Sequence, residues 1–152
     1  MNEYLLSDGQ KYTLETLCQD AETATILYFY PKDMTSVCTN QAEGFRDEYH
    51  WFQKRGINII GVSRDSLSRH KNFIDKYNLP FKLIADTDES LCQRFDVIAE
   101  KSMYGRKYLG IVRSTFILDK SAEILQSWRS VKVSNHLKEL KQSVVGMKQD
   151  ER

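Results

Sequence analysis

The chain has 152 residues, of which 41% are hydrophobic, 28% charged and 11% aromatic, with a formal net charge of +1. That length suits one domain able to bury a core without disulfide or metal staples, and scattered basic residues with almost no net charge speak against nucleic acid or an anionic membrane as partner. No apolar run approaches the roughly 20 residues that cross a bilayer, Met1-Asn2-Glu3-Tyr4 lacks the basic-then-apolar pattern of a secretory signal, and three widely spaced cysteines without a Cys-x-x-Cys fit a reducing compartment, expected to be the cytoplasm.

In chain order, Tyr4–Leu6 and Lys11–Thr13 around Ser7-Asp8-Gly9-Gln10 read as a short hairpin, followed by a helical turn from Leu14 to Cys18. Ile26–Tyr30 is continuously apolar between polar flanks, the pattern of a strand buried on both faces. From Cys38 to Lys54, the residues Ala42, Phe45, Tyr49 and Phe52 recur at helical spacing, and Gly56 closes that amphipathic helix. Ile57–Val62 is the next strand. Ser66 caps a helix reaching Tyr77, with His70, Phe73, Ile74 and Tyr77 on its inner face. After Pro80 the pattern predicts a third strand, Phe81–Ala85, and a short helix, Asp88–Phe95. Residues 99–110, with Gly105, Gly110 and several basic side chains, read as a loop. Ser114–Leu118 and Glu123–Ser127 form a hairpin about Asp119-Lys120-Ser121-Ala122. Ser134 caps a last helix with Leu137, Leu140 and Val144 on one face, and the polar tail from Lys148 is expected to fray. This order implies an α/β domain with a mixed central sheet and helices on both faces, most economically a thioredoxin-like fold spanning residues 1–152 as a single domain.

The stretch Phe29-Tyr30-Pro31-Lys32-Asp33-Met34-Thr35-Ser36-Val37-Cys38-Thr39 carries the chemistry. An apolar strand runs into a Pro-containing loop, which delivers Cys38 to the first turn of a helix. Unpaired backbone N–H groups and the positive end of a helix dipole favour the thiolate there, and the thiolate is the nucleophile. A helix end supplies about 0.3–2 kcal/mol, less than the roughly 3 kcal/mol that makes the anion the main form at neutral pH. A cationic partner is therefore expected. Arg113, in Gly110-Ile111-Val112-Arg113-Ser114-Thr115-Phe116, stands at the entry to a buried strand, where the crevice of an open α/β sheet lies. Thr35 can aim its hydroxyl at the same spot, and Pro31 pre-sets the loop and shields the sulfur from water.

Pro31-x-x-x-Thr35-x-x-Cys38 resembles the active-site motif of peroxiredoxins. Tyr28 to Asp33 followed by Cys38-Thr39, Tyr104-Gly105-Arg106-Lys107-Tyr108, Arg113 to Phe116, and Trp128 to Val133 are similar to the bacterioferritin-comigratory (Q-type) branch. The resemblance covers nearly the whole chain, in order. It implies a thiol peroxidase for hydrogen peroxide and organic hydroperoxides, with no metal, flavin or haem. Cys38 would become a sulfenic acid, Thr35 and Arg113 would hold the peroxide oxygens, and Pro31 would shape the pocket. Thioredoxin or another thiol reductant would restore the thiol, and the branch is monomeric or weakly dimeric.

Some positions depart from that pattern. Glu43 occupies the place of the usual resolving cysteine, and no cysteine stands near Phe73 and Ile74, where a second subset carries it. Cys92 and Cys18 remain as resolvers, beside a one-cysteine cycle. Ser36-Val37 replaces the usual Pro-Gly, and Gln41 replaces the usual Glu. These changes leave open a redox sensor or a peroxiredoxin-like binding module without turnover. His70 reads as a hydrogen-bonded core histidine, and Asp86 and Asp88 as turn and cap residues rather than a cation site.

Overall fold

A computed structural model describes residues 2–149. The chain runs β1 (Glu3–Leu5), β2 (Lys11–Thr13), α1 (Leu14–Gln19), β3 (Ala24–Phe29), α2 (Ser36–Asp47), α3 (Tyr49–Gln53), β4 (Ile57–Ser63), α4 (Leu67–Tyr77), β5 (Lys82–Ala85), α5 (Ser90–Arg94), β6 (Ile98–Met103), β7 (Arg106–Ile111), β8 (Ser114–Leu118), β9 (Ile124–Arg129) and α6 (Val133–Gln149). Five strands make the central sheet in the order β5-β4-β3-β8-β9. β3, β4 and β5 are parallel, β8 runs antiparallel to β3, and β9 antiparallel to β8. The mixed sheet expected from the sequence is present.

Alternation along the strands divides the core. Ile26, Tyr28 and Tyr30 point to one face, where they meet Cys38, Ala42 and Phe45 of α2, Phe52 of α3, Phe73 of α4 and Leu140 and Val144 of α6. Leu27 and Phe29 point to the other, where Leu14 and Cys18 of α1, Leu91 and Cys92 of α5 and the feet of the two outer hairpins cover the sheet. All six β3 residues are buried, which is why the run shows no polar alternation.

Four expectations need correction. The helix drawn from Cys38 to Lys54 is two helices bent at Glu48 (φ −101, ψ 6). Ala42, Phe45, Tyr49 and Phe52 stay in one apolar cluster across the bend, so periodicity alone could not reveal it. Residues 99–110 are not a loop but most of an antiparallel ribbon, β6–β7, turning at Tyr104-Gly105 with φ +52 and +78. Two successive positive φ angles are those of the tight hairpin turn whose twist suits paired strands. Most of the ribbon's residues are exposed, so no buried face imprinted alternation on the sequence. Ser134 lies inside α6, which begins at Val133, and so does not cap it. Lys148 and Gln149 continue that helix, and the rest of the tail expected to fray lies outside the described residues.

Gly61 in β4 allows the closest packing on the sheet. A Cβ there would stand 2.7 Å from Leu83 Cδ2 and 3.0 Å from Tyr28 Cζ. Gly61→Ala is expected to destabilise the fold by about 1–3 kcal/mol through overpacking, read as a lower midpoint in urea unfolding.

Candidate active site

β3 delivers the chain into the loop that precedes α2. Tyr30 still pairs with the sheet through its N–H to Val62 O at 3.0 Å. Pro31 then ends the ladder, because it has no N–H to donate. Thr35 is the N-cap residue of α2 by backbone (φ −77, ψ 153), and its carbonyl accepts the first helical bond from Thr39 N at 2.8 Å. Cys38 is the third residue of the helix. Among the described residues, the N–H groups of Ser36, Val37 and Cys38 have no protein acceptor, so the positive helix end opens at the sulfur. The Cys38 side chain is nearly enclosed at 2% exposure, while Ser36 and Val37 beside it are exposed.

Arg113 stands one residue before β8. Its Nη2 donates to Cys38 Sγ at 3.3 Å and its Nη1 to Gln41 Oε1 at 2.7 Å. The expected cation is therefore in contact with the sulfur across 75 residues of sequence. Neighbouring bonds hold the segment that carries it: Val112 N to Val97 O at 2.7 Å and Val131 N to Arg113 O at 2.9 Å. No carboxylate pairs with Arg113 among the described residues, so its charge is left for the sulfur and whatever anion forms beside it.

Gln41 is the residue whose part sequence reasoning missed. The sequence marks it only as a neutral substitute for a glutamate. In the fold it is one helical turn beyond Cys38, on the same face of α2, and it orients the guanidinium. The available signal was that three-residue spacing. Its Nε2 and the Thr39 hydroxyl are buried without a protein partner among the described residues, which leaves two polar groups on the turn that carries the sulfur.

Thr35 departs from expectation in detail. Its hydroxyl donates to Lys32 O at 2.9 Å, and it makes no hydrogen bond to Cys38. With the proton committed to a carbonyl, the oxygen keeps lone pairs to accept from a substrate O–H. Pro31 is half-buried at the start of the loop.

The other two thiols are remote. Cys18 and Cys92 are fully buried in the opposite core cluster, with the sheet between them and Cys38. Burial pushes the Cys18 thiol up to about 11. Burial, then a hydrogen bond to Asp86 and that residue's charge, push the Cys92 thiol higher still. Asp86 takes the N–H groups of Leu91 and Cys92 at 3.0 and 2.8 Å, and Asp88 takes Ser90 N at 3.1 Å, so both serve as the turn and cap residues expected.

A model described as the AhpC/TSA family matches residues 3–127. The chain is 48% identical over 131 residues to peroxiredoxin Bcp of Xanthomonas campestris, covering 86% of this chain and 80% of that one. It is 46% identical over 122 residues to peroxiredoxin Bcp of Bacillus subtilis, covering 80% and 78%. A trapped intermediate/ligand complex of the Xanthomonas campestris bacterioferritin comigratory protein, studied for alkyl peroxide reduction, superposes with a TM-score of 0.88 at 41% identity, covering 97% of this chain and 92% of that one.

Two outcomes follow from the geometry. Iodoacetamide at neutral pH is expected to label the native protein at Cys38 alone, as read by peptide mass spectrometry, with Cys18 and Cys92 labelled only after unfolding. Arg113→Ala is expected to slow oxidation of Cys38 by hydrogen peroxide about 10²- to 10³-fold, measured by stopped-flow.

Proposed function

This chain belongs to the AhpC/TSA family, in its Bcp peroxiredoxin branch, and on that premise we propose that Cys38 is its peroxidatic sulfur, in a pocket formed with Thr35, Arg113 and Pro31. The protein is a thiol-dependent peroxidase that reduces hydrogen peroxide and organic hydroperoxides. The observation that most directly supports the residue assignment is the 3.3 Å contact between Arg113 Nη2 and Cys38 Sγ.

The Cys38 thiolate attacks the terminal oxygen of the hydroperoxide along the O–O axis. An S–O bond forms, the O–O bond breaks, and the departing oxygen leaves with the electron pair as hydroxide or alkoxide. Protonation of that oxygen gives water or an alcohol, and Cys38 is left as a sulfenic acid. Arg113 faces the charge that moves from sulfur to the departing oxygen, so its attraction persists through the transition state. Gln41 holds the guanidinium in the required plane. Thr35 accepts from the peroxide O–H and so orients the attacked oxygen, and Pro31 closes the pocket against bulk water.

Recycling needs two thiols. The first displaces the sulfenic oxygen as water and forms a mixed disulfide with Cys38. The second attacks that disulfide, releasing the Cys38 thiol and an oxidised reductant. Neither Cys18 nor Cys92 is suited to the first role, that of a resolving cysteine, being buried beyond the sheet, so both thiols come from thioredoxin or a comparable thiol reductant in a one-cysteine cycle. The three unpaired cysteines support a reducing compartment, the cytoplasm. We take residues 1–152 to work as a single domain, as a monomer or weak homodimer.

Peroxide consumption with a thioredoxin system tests this reading. Wild type and Cys92→Ser are expected to turn over alike, and Cys38→Ser not at all. Absence of turnover in the wild type would leave only a sensor or binding role, and its loss in Cys92→Ser would overturn the one-cysteine cycle.

A further inference from the structure

Asp33 lies between Pro31 and Thr35 in the loop that leads from β3 into α2, yet it is only 1% exposed. A polar loop residue held that deep must have its polar atoms matched, and each is. Its carboxylate accepts from the Tyr30 hydroxyl at Oδ1 and meets His70 Nδ1 at Oδ2, 2.7 Å away. Its N–H donates to Asp65 Oδ2 at 2.8 Å, and its carbonyl accepts from Arg69 Nη2 at 3.3 Å. Asp65 also accepts from Ser63 Oγ at 2.6 Å and Arg69 Nε at 2.8 Å. The peroxide chemistry above uses none of these groups.

His70 is fully buried on α4, and both its ring nitrogens are engaged. Nδ1 faces Asp33, and Nε2 faces the Ile84 carbonyl oxygen at 2.9 Å. A carbonyl can only accept, so Nε2 carries a proton, and a further proton lies between Nδ1 and the carboxylate. The ring is thus a strut from β5 to the loop beside the sulfur. Ligand-type atoms of Asp33, Asp65 and His70 come within 4.8 Å of one another. Arg69 and the shared proton already balance the two carboxylates, so the cluster reads as internal bracing and not as a cation site.

The residue after Asp33 indicates what the bracing holds. Met34 has φ +70, a left-handed conformation that a residue with a side chain keeps only when its surroundings impose it. Thr35 follows at the N-cap, and Cys38 is in the first turn beyond. The course of the chain into the site is therefore imposed at Asp33.

We propose that Asp33 and His70 are positioning residues for the peroxide reaction: the buried pair, anchored on Ile84, fixes the loop from which Thr35 and the first turn of α2 meet the substrate. This rests on the reading of Cys38 as the sulfur that attacks peroxide. The pair touches no reacting atom. It acts by keeping the Thr35 oxygen and the helix end in register with the Cys38–Arg113 contact, where a displacement of an ångström would misalign the O–O axis.

Two amides separate the strut's ends, because asparagine reproduces the Nδ1 donor of histidine and glutamine its Nε2 donor. His70→Asn keeps the bond to Asp33, whereas His70→Gln keeps the bond to Ile84 and releases Asp33. The rate of Cys38 oxidation by hydrogen peroxide is compared with its alkylation by iodoacetamide, which needs the thiolate but no aligned O–O bond. His70→Gln is expected to lower the peroxide rate about 10²-fold while alkylation changes less than about twofold, and His70→Asn to recover most of the loss. Tyr30→Phe, which removes a single hydroxyl from Asp33, should give a smaller fall of the same selective kind, and it decides the matter if the histidine variants do not fold. Peroxide rates within about twofold of wild type in the folded variants, or peroxide and alkylation rates falling together, would make the strut merely structural and overturn the proposal. Failure of the wild type itself to consume peroxide would instead remove the reading on which the proposal stands.

Discussion

The site depends on one contact, a guanidinium against a sulfur, brought together by strand register. β3 and β8 pair antiparallel with Phe29 opposite Ser114. The chain leaving β3 and the chain entering β8 therefore meet at the same end of the sheet. Five residues after Phe29, Met34 turns the loop into the helix that carries Cys38, and one residue before Ser114 stands Arg113. A register slip of one residue would send the strand's side chains to the opposite face. It would turn Phe116 toward α2 and α6 and strip Ile117 from them, so the two cores enforce the alignment on which the Cys38–Arg113 contact depends.

That alignment gives the two faces of the sheet different chemical character. Under α2 and α4 lie the sulfur, its arginine, and the buried cluster of Asp33, Asp65 and His70 with Arg69 at its edge. On the other face lie two thiols kept protonated by the same apolar surroundings that stabilise the core. Three chemically identical side chains are thereby sorted into one sulfur beside a cation and two small core residues. Location alone separates them: Cys38 and Cys92 both stand in the first turn of a helix, but Cys38 has the Arg113 cation against its sulfur, while Cys92 has the Asp86 carboxylate at its back.

Asp65 shows how charge is tolerated in this interior. Burial alone would raise its carboxyl, but hydrogen bonds from Ser63, the Asp33 N–H and Arg69, with the charge of His70, outweigh it and hold the group below the usual carboxylate range. Stability tied to that ionised form is present above the ordinary carboxylate pKa and is lost as pH falls through the lower folded value. The same bonds brace the loop at Asp33, so the group that tolerates burial also locates the chain.

The sequence determined much by itself. Continuous apolarity marked β3, helical spacing marked the inner faces of α2, α3 and α4, and Ser66 announced its helix, accepting from Arg69 N at 3.3 Å as a cap should. Pro31, Thr35 and Cys38 were legible because they are close in sequence and their spacing expresses local geometry. Arg113 was legible as a type of residue at a type of place, the mouth of a buried strand. Only the tertiary structure decided that Gln41 orients that arginine, that a solvent-exposed ribbon leads to Arg113, and that His70 braces the loop. Periodicity records which side of an element is dry. Hydrogen-bond partners 37 to 75 residues apart, and strands wetted on both sides, leave no such record, because what selects them is the meeting of segments that only the folded sheet brings together.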